Sequence, residues 1–252
     1  MKPEACIAIA FAMSPANFRC DPEPAPAAPI EVVCALRPNT TCTADNLTAA
    51  LVPALRAAAA GDTTVRLWAS STTAVTDKLA DSLPYSPPSR GSDKVKQRHL
   101  QDWAKGEANR LASFIAPVAA ANAASIDQPL ANAVAQVGLS GERSKPRHLI
   151  VVSDGRHVGV GHRRDDQDMD CKLIDPEDFQ LALGRTVLLP KTLSNVTVHF
   201  AFVSLAKPRR ANCAMSPRKA QAHERAWSLA LTRAGAVRVV FSTGAPEFDA
   251  PE

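Results

Sequence analysis

The sequence predicts an α/β domain built on a doubly wound, mainly parallel sheet with helices on both faces. Three observations predict it. Short, β-rich apolar runs alternate with helical segments along most of the chain. Those runs lack an apolar–polar alternation, as expected of strands buried on both faces. The composition is 46% hydrophobic but only 5% aromatic, so the core must be assembled from Ala, Val, Leu and Ile. With 252 residues, the chain has the length of one large domain or two small ones.

The elements follow in order. Residues 1 to 29 form an N-terminal extension, and residues 30 to 252 the domain. The extension opens with "MKPEACIAIAFAMSPA", which reads either as a signal-like segment or as an edge strand of the fold. The proline-rich spacer "CDPEPAPAAP" follows, extended and incompatible with helix. "IEVVCAL" is the first buried strand. "LTAALVPALRAAAA" is a helix capped by Asp45 or Asn46, with Pro53 as its weak point and Gly61-Asp62 as its end. "TTVRLWAS" is the second strand. After a proline-rich loop, residues 93 to 123 read as a long helical stretch broken near Pro117. Its apolar face includes Trp103, Leu111, Phe114 and Ile115. Residues 125 to 139 read as a helix started by Ser125 or Asp127 and ended by Gly138. "RHLIVVSD" and "NVTVHFAFVSL" are the next two strands. The amphipathic "SPRKAQAHERAWSLALTRAG" and the strand "AVRVVFST" complete the pattern.

Charge and motif content restrict the function. The net charge is +4, and the basic residues are scattered without interleaved aromatics, which argues against nucleic-acid binding. No apolar run reaches the ~18 residues of a membrane span. There is no Gly-x-Gly-x-x-Gly or P-loop, and no Gly-x-Ser-x-Gly elbow. The six cysteines, Cys6, Cys20, Cys34, Cys42, Cys171 and Cys213, include no Cys-x-x-Cys pair, so zinc-ribbon and thioredoxin readings lack support. An even count suits disulfides in a periplasmic or secreted protein, with the cytoplasm as the alternative. A Cys171–Cys213 bridge would close a loop of about 40 residues, worth roughly 3 to 4 kcal/mol. Cys34, inside an apolar run, also reads as a small buried hydrophobe.

The strand ending "VVSDG", preceded by "SIDQPLANAV" and followed by "VTVHFAFVSL" and "AWSLALTRAGAVRVVF", resembles the von Willebrand factor A (vWA) domain, a Rossmann-like fold. The resemblance covers roughly residues 30 to 242 and rests on element order plus the Ser-Asp-Gly corner. It implies a metal-ion-dependent adhesion site on three loops at the carboxyl ends of the strands. The corner supplies Asp154, and the threonine-bearing loop of the family falls on Ser125. The Asp-x-Ser-x-Ser loop falls on "RPNTT", placing Arg37 at the aspartate position and Asn39 and Thr41 at the serines. A Mg or Ca ion there would have hydroxyls and a single carboxylate as hard oxygen ligands. An inward-pointing Arg37 at about 5 Å would repel it by up to roughly 6 kcal/mol. The site therefore reads as degenerate, with an Arg37–Asp154 ion pair as one replacement for the metal.

Other candidates are weaker. Asp166, Asp168, Asp170 and Glu177 stand at the first, third, fifth and twelfth positions of a calcium-loop pattern, but Cys171 occupies the sixth, where the turn needs glycine. The simpler account is an acidic loop in which Asp175 caps a helix starting at Pro176. His157 and His162 lack the helical i, i+4 spacing that fixes two imidazoles on one metal. Trp68, Trp103 and Trp227 read as core. The sequence thus points to a non-catalytic module that binds another protein through its strand-end loops and requires no cofactor. The alternatives are a metal-dependent, hydrolase-like enzyme centred on Asp154, His157 and His162, and a metal-independent scaffold subunit. Oligomeric state is left open.

Overall fold

The structure is a computed structural model describing residues 28–35, 42–70, 77–121, 130–141, 144–153, 155, 192–202, 216–243 and 245–246. Its frame is a six-stranded sheet: β1 (Ile30–Ala35), β2 (Val65–Ser70), β3 (Asp77–Asp81), β4 (Arg147–Ser153), β5 (Val196–Phe202) and β6 (Arg238–Thr243). The spatial order is β3-β2-β1-β4-β5-β6. All neighbouring pairs are parallel except β2–β3. The described helices are α1 (Ala44–Ala60), α2 (Asp93–Ser113), α3 (Ile115–Ala121), α4 (Leu130–Ser140) and α5 (Pro217–Arg233).

Two apolar layers sandwich the sheet. On one face Ile30, Val32 and Cys34 of β1 meet Leu47, Leu51 and Leu55 of α1, together with Leu111 of α2 and Ile115 of α3. On the other, Val33 and Ala35 meet Leu130 and Val134 of α4 and Trp227 and Leu231 of α5. The expected mainly parallel α/β architecture is therefore present. Small side chains make up much of both layers, in keeping with the low aromatic content.

Several local details differ from the sequence reading. The strand β3 has no counterpart in it: "DKLAD" is charged and too short to show a period, and it pairs as an antiparallel edge. Thr43, rather than Asp45 or Asn46, caps α1, accepting a hydrogen bond from the Asn46 N–H at 3.2 Å. The helix runs through Pro53, because its buried stripe of Leu47, Ala50, Leu51, Ala54, Leu55 and Ala58 outweighs the lost hydrogen bond. The break in the long helical stretch falls at Phe114, three residues before Pro117, where the ring would clash with the carbonyl four residues earlier. Phe114 itself is exposed and lies beneath the Arg110 guanidinium.

Gly138 does not end α4, which continues to Ser140. It allows a close approach instead: a Cβ there would stand 2.5 Å from Leu193 Cδ2 and 3.0 Å from the Thr192 carbonyl oxygen. Gly106 in α2 has open space around it. Gly138→Ala is therefore expected to destabilise the fold by about 1–3 kcal/mol through overpacking. Gly106→Ala is expected to stabilise it by about 0.5–1 kcal/mol through helix propensity. Urea denaturation of both variants checks the opposite signs.

At the amino ends of the strands, Glu31 is a buried carboxylate hydrogen-bonded by Trp68 Nε1 and reached by Arg66 at 3.5 Å. Burial pushes its carboxyl above the usual range against the opposing pull of Trp68, Arg66 and Arg147. The folded state then holds this proton more tightly than the unfolded one. The contribution to stability is present at low pH and is lost as pH rises through the folded value. Glu31→Gln, which keeps an acceptor for Trp68, should raise the melting temperature near about pH 8, with the advantage vanishing by about pH 4. A gap between the two melting curves that does not narrow in acid contradicts this.

Candidate functional site

The strand order reverses between β1 and β4. In open α/β sheets the crevice outside the carboxyl ends of the strands at such a reversal is where ligands bind. Cys34 of β1 stands opposite Val152 of β4, and Ala35 opposite Ser70 of β2. Ser153 stands opposite Phe202, and Phe202 opposite Thr243. Ser70, Ala35, Ser153, Phe202 and Thr243 thus form the carboxyl-end row of the sheet, flanking the reversal point.

Ser153 is fully buried, and its Oγ accepts the Gly155 N–H at 3.1 Å. Gly155 has φ of +77°, a left-handed conformation that glycine adopts without a Cβ clash. Its carbonyl accepts a hydrogen bond from Trp227 Nε1 at 2.6 Å. His223 Nδ1 lies 3.4 Å from the same oxygen and donates to it in the tautomer carrying the proton there. Both donors come from α5, where they are buried on one face four residues apart. Trp227 is in turn fixed against Phe200, with ring centroids 5.5 Å apart. The residues on either side of Asp154 are therefore anchored to the core.

The loop after β1 is anchored differently. Cys34 and Cys42 form a disulfide, with their Cα atoms 6.0 Å apart. Cys34 is fully buried, and half-buried Cys42 packs against the α1-side core. The bridge ties the end of β1 to the residue before the Thr43 cap. Cys34 is thus both a buried apolar residue and a disulfide partner.

Asp154 itself, Ser125, Arg37, Asn39 and Thr41 lie outside the described residues. So do His157, His162, the loop of Asp166, Asp168, Asp170 and Glu177, and the pair Cys171 and Cys213. The described structure places their neighbours: Ser153 and Gly155 bracket Asp154, and Ala35 and Cys42 bracket Arg37, Asn39 and Thr41.

Three features escaped the sequence reading. Trp227 was expected as core and is, but its indole N–H also holds the corner. A Trp at an apolar helix position gives no hint of where its polar atom points. His223 carried no motif. Ser70 ends β2 beside Ala35 with a buried hydroxyl that finds no hydrogen-bond partner among the described residues, and a serine closing a strand was its only signal.

No family model, curated protein or solved structure matches the chain. Among the described residues no helix is long and apolar enough to cross a membrane.

Trp227→Phe keeps a ring against Phe200 and removes one donor. It should cost about 1–2 kcal/mol, the penalty for a buried carbonyl that loses a partner, and should speed hydrogen exchange at the Gly155 amide more than at β5 amides. Uniform acceleration across the sheet would instead indicate general loss of packing.

Proposed function

We propose that this chain is a vWA-like, non-catalytic module that binds another protein through the loops at the carboxyl ends of its strands. One observation carries the reading. The sheet order reverses between β1 and β4, and the connections leaving both strands there start from fixed stems, one closed by a disulfide and one anchored by α5. Rigid stems under loops of free sequence are the arrangement that binding surfaces on scaffolds use. The connection from β4 to β5 is long, occupying residues 154 to 195, whereas α5 reaches β6 across only residues 234 to 237 at the opposite edge.

The residues do not fit a metal of the adhesion-site kind. The donor set that the resemblance assigns holds one carboxylate, Asp154, with Ser125, Asn39 and Thr41, and it places Arg37 where a second acid belongs. A divalent ion prefers several hard, anionic oxygens, and the loop that would supply half of them is held by a disulfide. A disulfide in the fold agrees with maturation in the periplasm or outside the cell.

The two ends of β6 provide the test. Thr243 at the carboxyl end and Val237 at the amino end are both exposed. A photoreactive benzoylphenylalanine at Thr243 should give a discrete cross-linked product in cells of the source organism, and one at Val237 should give none. Cross-linking from Val237 alone would place the partner on the wrong edge and refute the reading.

A further inference from the structure

We infer that the outer edge of β6 is a docking groove for an extended peptide, which adds to the sheet as a seventh strand and brings a lysine or arginine to Glu224. This goes beyond the proposed module. The groove runs along the side of the sheet and is formed by described residues, not by the strand-end loops.

The two edges of the sheet are built differently. β3 closes one side with Asp77, Lys78 and Asp81, and its pairing to β2 is irregular. Asp81 is in turn paired with Lys78 and Arg66. Short, charged, irregular strands guard a sheet edge against further pairing. β6 closes the other side with "RVVFST", which has no proline and whose one charge is Arg238 at its start. It pairs with β5 in unbroken register from Arg238 to Thr243. Among the described residues no strand lies on its outer side. Every second residue of such a strand turns its N–H and C=O away from its neighbour. Val239, Val240 and Phe241 are only half-buried. β6 thus offers backbone groups and apolar side chains together, the template that strand addition uses.

α5 turns this edge into a groove. A cavity of about 350 Å³ lies against the carboxyl half of β6, lined by Glu224 of α5, by Val240, Phe241, Ser242 and Thr243, and by Ala245. Phe241 packs toward the α5 layer, so Val240 and Ser242 face the other way. An added strand alternates in the same sense. Every second side chain lies on the α5 side with Glu224, and the rest lie beside Val240 and Ser242. Glu224 is half-buried and has no ion-pair partner among the described residues. The buried Ser242 hydroxyl has no hydrogen-bond partner among them either, and a serine or threonine directly opposite would supply one.

The carboxylate decides between occupants, because covering it without a cation is costly. In a second copy paired antiparallel through β6, a two-fold axis normal to the sheet keeps like faces together. Arg238 then stays on the Ser242 side, and no cation of that strand reaches Glu224. The chain's own apolar stretch "CIAIAFAM" (residues 6 to 13) contains no cation. A partner strand with apolar residues on one face and a lysine or arginine on the other answers the edge, Val240 and Glu224 at once.

The test uses the purified full-length chain and two fluorescein-labelled hexapeptides, Thr-Val-Lys-Val-Thr-Val and its counterpart with Glu in place of Lys. By fluorescence anisotropy the lysine peptide should bind, and the glutamate peptide should bind at least about threefold more weakly. Glu224→Lys should reverse that order. Val240→Lys, which puts a charge on the edge, should weaken both. If that variant does not fold, Glu224→Lys carries the test, since its side chain is partly in solvent. The lysine peptide with its backbone amides methylated keeps every side chain and should not bind. Binding by the methylated peptide overturns the inference. So does equal affinity for the two peptides, or an order that Glu224→Lys leaves unchanged. Absence of binding by the lysine peptide overturns it as well. A sedimenting dimer that Val240→Lys dissociates would then name a second copy as the occupant. The peptides need no cellular partner, so this result stands apart from cross-linking at Thr243.

Discussion

β1 is buried on both faces along its whole length, and most of the architecture follows from that constraint. A central parallel strand has no solvent face, so each side chain must meet a helix on one side or the other. Ile30, Val32 and Cys34 need α1, while Val33 and Ala35 need α4 and α5. The neighbours β2 and β4 are held parallel to it in register from Ile30 onward. With helices occupying both faces, the carboxyl edge is where chain can leave the sheet without covering apolar surface. The order of the strands reverses beside β1, where connections in an open α/β sheet leave in opposite directions.

The same burial explains where the polar groups sit. Glu31 is the one acidic residue of β1, and Arg66, Trp68 and Arg147 surround it. Arg147 also donates to the Gly138 carbonyl at 2.8 Å, so the charge at the amino end is linked to the helix that carries the close-packed glycine. His199 lies buried against His148, with ring nitrogens 3.1 Å apart, an arrangement in which one ring donates and the other accepts. Glu107 on α2 is different again. Burial raises its carboxyl, but Arg110 and the Leu83 N–H outweigh it and hold the group below the usual range. It thereby ties the extended segment after β3 to its helix, through a contact that acid would release.

Fold class was legible because it depends on averages. A run such as "HLIVV" can only be buried, and alternation with helices fixes a parallel sheet whatever the individual caps do. The errors came where one contact decides the outcome. Gly138 read as a stop because glycine often ends helices, yet here Leu193 from a distant segment requires the missing Cβ. Pro117 was correctly read as a breaker, but the break falls at Phe114, since the ring acts on the turn before it. "DKLAD" carried no periodicity because a charged run of five residues is too short to show one. The candidate site was less legible still. The Ser-Asp-Gly corner could be read, but the Trp227 and His223 contacts that hold it lie more than sixty residues downstream.

The two stems of that edge show how a small aromatic complement is used. Phe200 supports Trp227, and Trp227 holds the Gly155 carbonyl, so one of the largest fully buried side chains does two jobs at the corner. On the β1 side the neighbouring aromatic, Trp68, donates to Glu31 toward the amino end. Only Cys34 and Ala35 end the strand, and small side chains cannot grip a loop by packing. A covalent bond from Cys34 to Cys42 provides there what the indole provides at the corner. A chain with a core of small residues therefore has to fix its loops by specific bonds, since bulk cannot do it. That is why the loss of either bond should be felt at the carboxyl edge before it is felt in the sheet.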